Sequence, residues 1–198
     1  MFDDLDKSLE ELLKRELPPG LVNQVSISFA APDGSFPPPS VGLPAIDLFL
    51  YDVRENTDLR DNEWRIDRSP DGLTTSSRAP VRVDCSYLIT AWPSPSTPAP
   101  SQDEHRMLGE VMRVLVRYPY LPAEVLQGVM KQQEVPLPGI SLHAGRMQSV
   151  SELWQALGGK PKASLNYTVT IGITPASPFL GGPVVQDYRI RATQTGGA

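Results

Sequence analysis

The chain has 198 residues, of which 40% are hydrophobic, 21% are charged and 21 are proline, and its formal net charge is −5. That length suits one domain of α/β or α+β type with a sizeable core. Charges of both signs are spread along it, which excludes a non-specific nucleic-acid binder, since such a protein needs a basic face to release phosphate counterions. Cys85 is the single cysteine, so no internal disulfide exists and the expected role is a small buried hydrophobe. The N-terminus is charged and amphipathic, without the basic start and apolar run of a secretory signal. No apolar stretch approaches the ~18 residues of a membrane span. The expectation is synthesis and folding in the cytoplasm.

Residues 3–17 read as a helix, with Phe2, Leu5, Leu9, Leu12 and Leu13 on one stripe. Asp3, Asp4 and Asp6 near its start and Lys14 and Arg15 near its end match the helix dipole. Pro18-Pro19-Gly20 stops it. Val25, Ile27 and Phe29 alternate with polar residues as in a half-buried strand. Residues 31–44 form a proline-rich loop, either a plain connector or a segment lying on a neighbouring subunit. AIDLFLYDVREN (45–56) is apolar on both faces, with Ile46, Leu48 and Leu50 on one and Phe49, Tyr51 and Val53 on the other. That pattern marks a central or doubly covered strand. DNEWRIDR and LTTSSR read as a hairpin around Ser69-Pro70-Asp71-Gly72.

Residues Val81 to Trp92 form the longest alternating run. Val81, Val83, Cys85, Tyr87, Ile89 and Ala91 share one face, and Arg82, Asp84, Ser86, Leu88, Thr90 and Trp92 the other. At roughly 3.3 Å per residue it spans about 40 Å, so it either crosses a large sheet or projects beyond the subunit. Ser101 with Glu104 predicts a capping box for a helix over 102–118. Its buried stripe is Leu108, Val111, Met112 and Leu115, and its polar stripe is Arg106, Glu110, Arg113 and Arg117. Pro119 ends it. A short turn at 122–127 and a short strand at 140–144 follow. Ser151 is placed to cap a helix over 152–157, closed by Gly158-Gly159. Residues 163–174 alternate strongly, residues 184–193 suggest an exposed last strand, and the end of the chain should be loose. Together these predict an α+β fold: a mixed, mainly antiparallel sheet with three helices packed on it.

The search for chemistry is thin. His105 and His143 are far apart and no Cys/His cluster exists, so no metal or cofactor site is expected. GISLH (139–143) begins like a nucleophile elbow but ends in His143 instead of glycine. Asp47 and Asp84 lie inside apolar strands, where a raised pKa would suit general acid or base work in a hydrolase. The rival reading, favoured because no second catalytic group is visible, pairs each with an arginine or a backbone donor. Trp and Arg are the types enriched at interface hot spots. Trp64, Arg65 and Arg68 in the polar hairpin, Trp92, and Arg106, Arg113 and Arg117 on the helix are therefore candidate subunit or docking residues.

Four segments in order carry a family resemblance: AIDLFLYDVREN (45–56), PVRVDCSYLITAW (80–92), EHRMLGEVMRVLVRYPYLP (104–122) and SELWQALGGKPKASLNYTVT (151–170). Together they resemble the tail-terminator, or cap, protein of extracellular contractile injection systems, which are phage-tail-like particles. The resemblance covers most of residues 1–175, leaving 176–198 as a short, partly flexible C-terminal extension. It implies an α/β subunit of a hexameric ring that ends the inner tube and contacts the last sheath ring, without catalytic residues or cofactor. The partners it implies are copies of the chain itself, the tube and the sheath. A neck or sheath-associated adaptor of the same particle is the alternative role.

Overall fold

The computed structural model describes residues 1–69, 73–133, 136–141, 150–174 and 179–181. The chain opens with α1 (Phe2–Glu16), a one-turn α2 (Pro19–Val22) and the short strand β1 (Ser26–Ser28). Next come β2 (Ala45–Glu55), β3 (Trp64–Arg68), β4 (Thr74–Arg78) and β5 (Val81–Trp92). After them follow α3 (Pro100–Arg117), β6 (Tyr120–Leu121), β7 (Leu137–Ser141), α4 (Val150–Leu157), β8 (Ser164–Ile173) and β9 (Phe179–Gly181).

Six strands form the main sheet in the order β1-β2-β5-β8-β7-β6, and β3-β4-β9 form a separate small one. Only β1 pairs parallel, with β2; the other pairings are antiparallel. This is the expected α+β class. β5 sits between β2 and β8 and is buried without a break from Val83 to Ala91. Its length is used in crossing the sheet, not in projecting from it.

One face of that sheet meets α1 and α3. Leu5, Leu9, Leu12 and Leu13 of α1 and Met107, Leu108, Val111, Val114 and Leu115 of α3 pack with Cys85, Tyr87, Ile89, Val169 and Ile171 in one cluster. Fully burying each such leucine or valine stabilises by roughly 1.5–3 kcal/mol. The α3 stripe is rotated from its expected position: Met107 and Val114 are buried, whereas Met112 is 37% exposed.

Arg82, Asp84, Ser86, Leu88, Thr90 and Trp92 lie on the other face. The chain covers it itself. The Phe36 ring of the proline-rich loop lies 4.3 Å from that of Trp92, centroid to centroid. Glycines 34 and 159 bring the loop against the end of α4, beside the buried Trp154. The loop thus packs, through Pro32, Gly34 and Phe36, on its own subunit.

Local rules account for most of the elements and fail at three points. The expected capping box is absent: α3 begins at Pro100, its Ala99 cap makes no side-chain bond, and Glu104 instead binds Lys162 at 2.8 Å. Proline at the first helical position loses no needed N–H, so it starts the helix unaided. α4 begins at Val150, so Ser151 lies inside the helix, while Gly158 and Gly159 close it through bonds to Gln155 and Trp154 carbonyls. In β2 a bulge between Leu50 and Asp52 shifts the register. Val53 consequently shares the side of Leu50, not that of Phe49 and Tyr51 as strict alternation predicts, because a bulge adds one residue to one strand only.

The strand expected at 140–144 is β7, centred earlier. Its Gly139 faces the Tyr167 hydroxyl, which would lie 2.1 Å from an added Cβ. Gly128 adopts a positive φ of 51°, and a Cβ there would strike the Asp4 carboxylate that accepts the Val129 N–H. β9 belongs to the stretch expected as an extension, yet it pairs with β4. The tip of the hairpin at 70–72, His143 and the strand expected at 184–193 lie outside the described residues.

Candidate functional site

The two sequence-predicted carboxylates have different surroundings. Asp84 is 1% exposed and accepts from Asn56 Nδ2 at 3.1 and 3.2 Å and from Thr170 Oγ1 at 2.7 Å. These donors are a side-chain amide and a hydroxyl. Asp47 is fully buried, and among the described residues neither of its oxygens has a hydrogen-bond partner. The expected pairing with an arginine or backbone donor is therefore not made for Asp47. Burial pushes its pKa up to about 7, and the Ser28 hydroxyl and Ala30 amide, both short of good hydrogen-bond geometry, only partly oppose this. Register places Ser28 and Thr90 beside it. Neither aspartate is open to a substrate. Burial likewise pushes the Cys85 thiol up to about 12. Among the described residues no group of three or more His, Cys, Asp or Glu side chains can hold a metal ion.

The exposed aromatics and arginines give the molecule its surface character. β3 and β4 pair over their whole length, and every residue of β3 is exposed. Trp64 and Ile66 lie on one face of this small sheet, and Phe179 pairs with Ser76, the partner of Ile66, so it shares that face. They are 48%, 61% and 61% exposed. The Arg78 guanidinium lies 5.3 Å from the Trp64 ring centre and Phe179 lies 6.0 Å from it. Arg68 shares their face, and Arg65 points to the other, where it lines a cleft of about 380 Å³ with Asp61, Pro80, Arg82 and Thr170.

Trp92 is occupied within its own chain. Phe36 stacks on it, Lys162 Nζ lies 4.1 Å from its ring centre, and its Nε1 donates to Thr90 Oγ1 at 2.9 Å. Lys162 also binds Glu104, so β5, the proline-rich loop, α3 and the approach to β8 are tied at one point. On α3, Arg106 pairs with Asp103 at 3.1 Å, Arg113 with Glu110 at 3.3 Å and Arg117 with Glu16 of α1 at 3.6 Å. These arginines remain 58–69% exposed. Such surface pairs contribute about 0–1 kcal/mol each and exchange partners easily.

The structure therefore separates the predicted interface residues into three places: the small sheet, the outer side of α3 and the Trp92 clasp. Sequence reasoning missed Gln133, whose side-chain amide donates to the Gly172 carbonyl and accepts the Gly172 N–H, both at 2.7 Å. That clasp closes part of the β8 edge as a strand would. No local pattern announces a glutamine used this way.

Residues 4–187 match the family described as the Pvc16 N-terminal domain. The chain belongs to that family. Its fold is that of a solved sheath/tube terminator of a PVC extracellular contractile injection system in the extended state, with a TM-score of 0.72 and 21% identity. That match covers 100% of this chain and 65% of the terminator. The tube-terminating cap of the anti-feeding prophage is similar over 98% of this chain and 61% of the cap, with a TM-score of 0.60 and 22% identity. The chain thus spans somewhat under two thirds of the length of each. A search of curated protein sequences finds no match. Among the described residues of this Pvc16 N-terminal domain relative, no helix is long and apolar enough to cross a membrane.

Proposed function

We propose that this chain is the terminator of a contractile, phage-tail-like particle, forming a ring of six copies that ends the inner tube and joins the last sheath ring. The observation that carries this reading is the correspondence of the whole chain to the fold of a sheath/tube terminator, together with family membership over residues 4–187. The surfaces agree with it. A ring repeats one head-to-tail interface, so each subunit needs two different surfaces. The small sheet, with Trp64, Arg65, Arg68 and Phe179, is one surface. The outer side of α3, with Arg106, Arg113 and Arg117, faces elsewhere and suits the tube or sheath.

The role is structural. Asp47 and Asp84 are sealed within the fold, and neither has a second catalytic group beside an open cleft. The subunit assembles in the cytoplasm and becomes part of the particle.

Imaging of particles from a strain lacking the gene tests this. Tubes of uncontrolled length, or particles that lose their sheath, are the expected result. Mass photometry and electron microscopy of the purified chain, alone and with tube, should show six-fold rings. Binding to sheath without a ring would reassign the chain as a neck or sheath-associated adaptor. Normal particles from the deletion strain would overturn both.

A further inference from the structure

Of the strand edges left open among the described residues, two belong to β2 and β3, and they differ. β2 has eleven residues, but β1 covers only Ala45, Ile46 and Asp47. Beyond Asp47, among the described residues, no strand lies on the side of β2 away from β5. The other edge is the outer side of β3, the terminal strand of the small sheet, beside which no strand lies among the described residues. An exposed edge offers a row of backbone donors and acceptors for pairing with another chain.

We propose that neighbouring copies are joined by strand addition: β3 of one copy pairs in parallel with the open part of β2 of the next. This rests on the ring reading above and names the contact that builds the ring.

Direction and register follow from the residues. β1 already pairs parallel with β2, so a parallel newcomer continues its line along the same edge. In parallel register Arg65 meets Asp52, Ile66 meets Val53, Asp67 meets Arg54 and Arg68 meets Glu55. Three opposite-charge pairs and one apolar pair result. The faces also agree. After the bulge Asp52 and Arg54 lie on one side of β2 and Val53 and Glu55 on the other. β3 presents Arg65 and Asp67 on one side and Ile66 and Arg68 on the other. The antiparallel register that joins Ile66 to Val53 would set Arg65 against Arg54 and Asp67 against Asp52, and like charges placed opposite are destabilising.

The partner is a second copy and not the same chain. Only residues 56–63 separate β2 from β3, whereas a parallel return within one sheet needs roughly a dozen residues or more. Charges on edges often serve to block pairing. Here each charge on one edge has its opposite on the other, and Ile66 and Val53 are 61% and 44% exposed between them. The carboxylates of Asp52 and Glu55 now bind Arg54 and Arg60, each at 2.6 Å, in partly exposed pairs that an incoming arginine can share. Because the two edges are different, the contact is head-to-tail, which is the kind of interface a ring repeats.

Cysteine cross-linking of the full chain tests the register. The native Cys85 is buried, so the background is silent. Val53→Cys with Ile66→Cys, assembled and mildly oxidised, should give a non-reducing gel ladder up to the full ring, while each single variant gives none. Arg54→Cys with Ile66→Cys puts the thiols on opposite faces and should give no ladder. Independently, Arg68→Glu should raise the concentration at half-assembly roughly fivefold, and adding Glu55→Arg should restore it. Rings without the ladder, or a charge swap that fails to restore assembly, overturn the strand pairing and leave the ring intact as a reading. A chain that forms no ring, alone or on tube ends, overturns both. If the cysteine pair impairs folding, the charge swap decides.

Discussion

β5 and β3 are both alternating strands, yet one is the interior of the molecule and the other is surface throughout. Val83 to Ala91 are buried on both faces of β5, while all five residues of β3 are exposed. Both strands alternate, so pattern does not separate them. The difference lies in what stands on either side. β5 has β2 and β8 as neighbours, helices on one face and the proline-rich loop on the other, whereas among the described residues β3 pairs with β4 alone. The first arrangement holds the fold together. The second leaves aromatic and arginine side chains exposed, within reach of another molecule.

The largest expected break in that comparison comes from the core. Ile89→Ala should lower the unfolding free energy by about 2–5 kcal/mol, as a buried large-to-small change does. Ile66→Ala should leave the urea midpoint nearly unchanged while weakening ring formation. Equal losses of stability at both positions, read by denaturant unfolding, would erase the distinction. Gly139→Ala comes next. Its Cβ would collide with the Tyr167 hydroxyl, so a loss of about 1–3 kcal/mol is expected. Tyr167→Phe in the same chain should recover part of it by removing the struck oxygen.

Asp47 sharpens the comparison through pH. Its folded pKa is about 7, well above the ordinary carboxylate value of 3.8. Between those values the unfolded chain has lost a proton that the folded chain keeps, so stability falls as pH rises from about 4 to 7 and levels off above. Asp47→Asn cannot ionise and should be the more stable form at pH 8, by on the order of a few kcal/mol. The gap should close below pH 4. A gap that stays constant across this window, in urea titrations at several pH values, would show that Asp47 ionises normally. Smallest of all is the effect of Arg106→Ala, Arg113→Ala and Arg117→Ala, each about 0–1 kcal/mol in stability. Their value is as a separate readout: co-sedimentation with tube and sheath should drop while rings still form.

Much of this was legible in the chain. The α1 stripe, the two faces of β5, β8 and the β3–β4 hairpin follow from periodicity and turn residues, since 3.6- and 2-residue repeats report which side is buried. The capping box at Ser101 failed because Glu104 found a half-buried lysine 58 positions away, a partner that no local window contains. The face of Val53 was misplaced because a bulge changes parity without changing sequence pattern. Trp92 read as an exposed hot-spot residue, and Phe36 and Lys162 had to be brought to it by the fold before its role as an internal clasp was visible.

The sequence alone determined the family, the α+β class and the central place of Val81 to Trp92, because hydrophobic alternation and segment order are written along the chain. Only the tertiary structure decided three other matters. It set what covers the second face of that strand and, among the described residues, it left Asp47 without the partners that Asp84 has and left the outer sides of β2 and β3 without a strand. Each depends on which distant segments meet, and a one-dimensional pattern carries no distances between them.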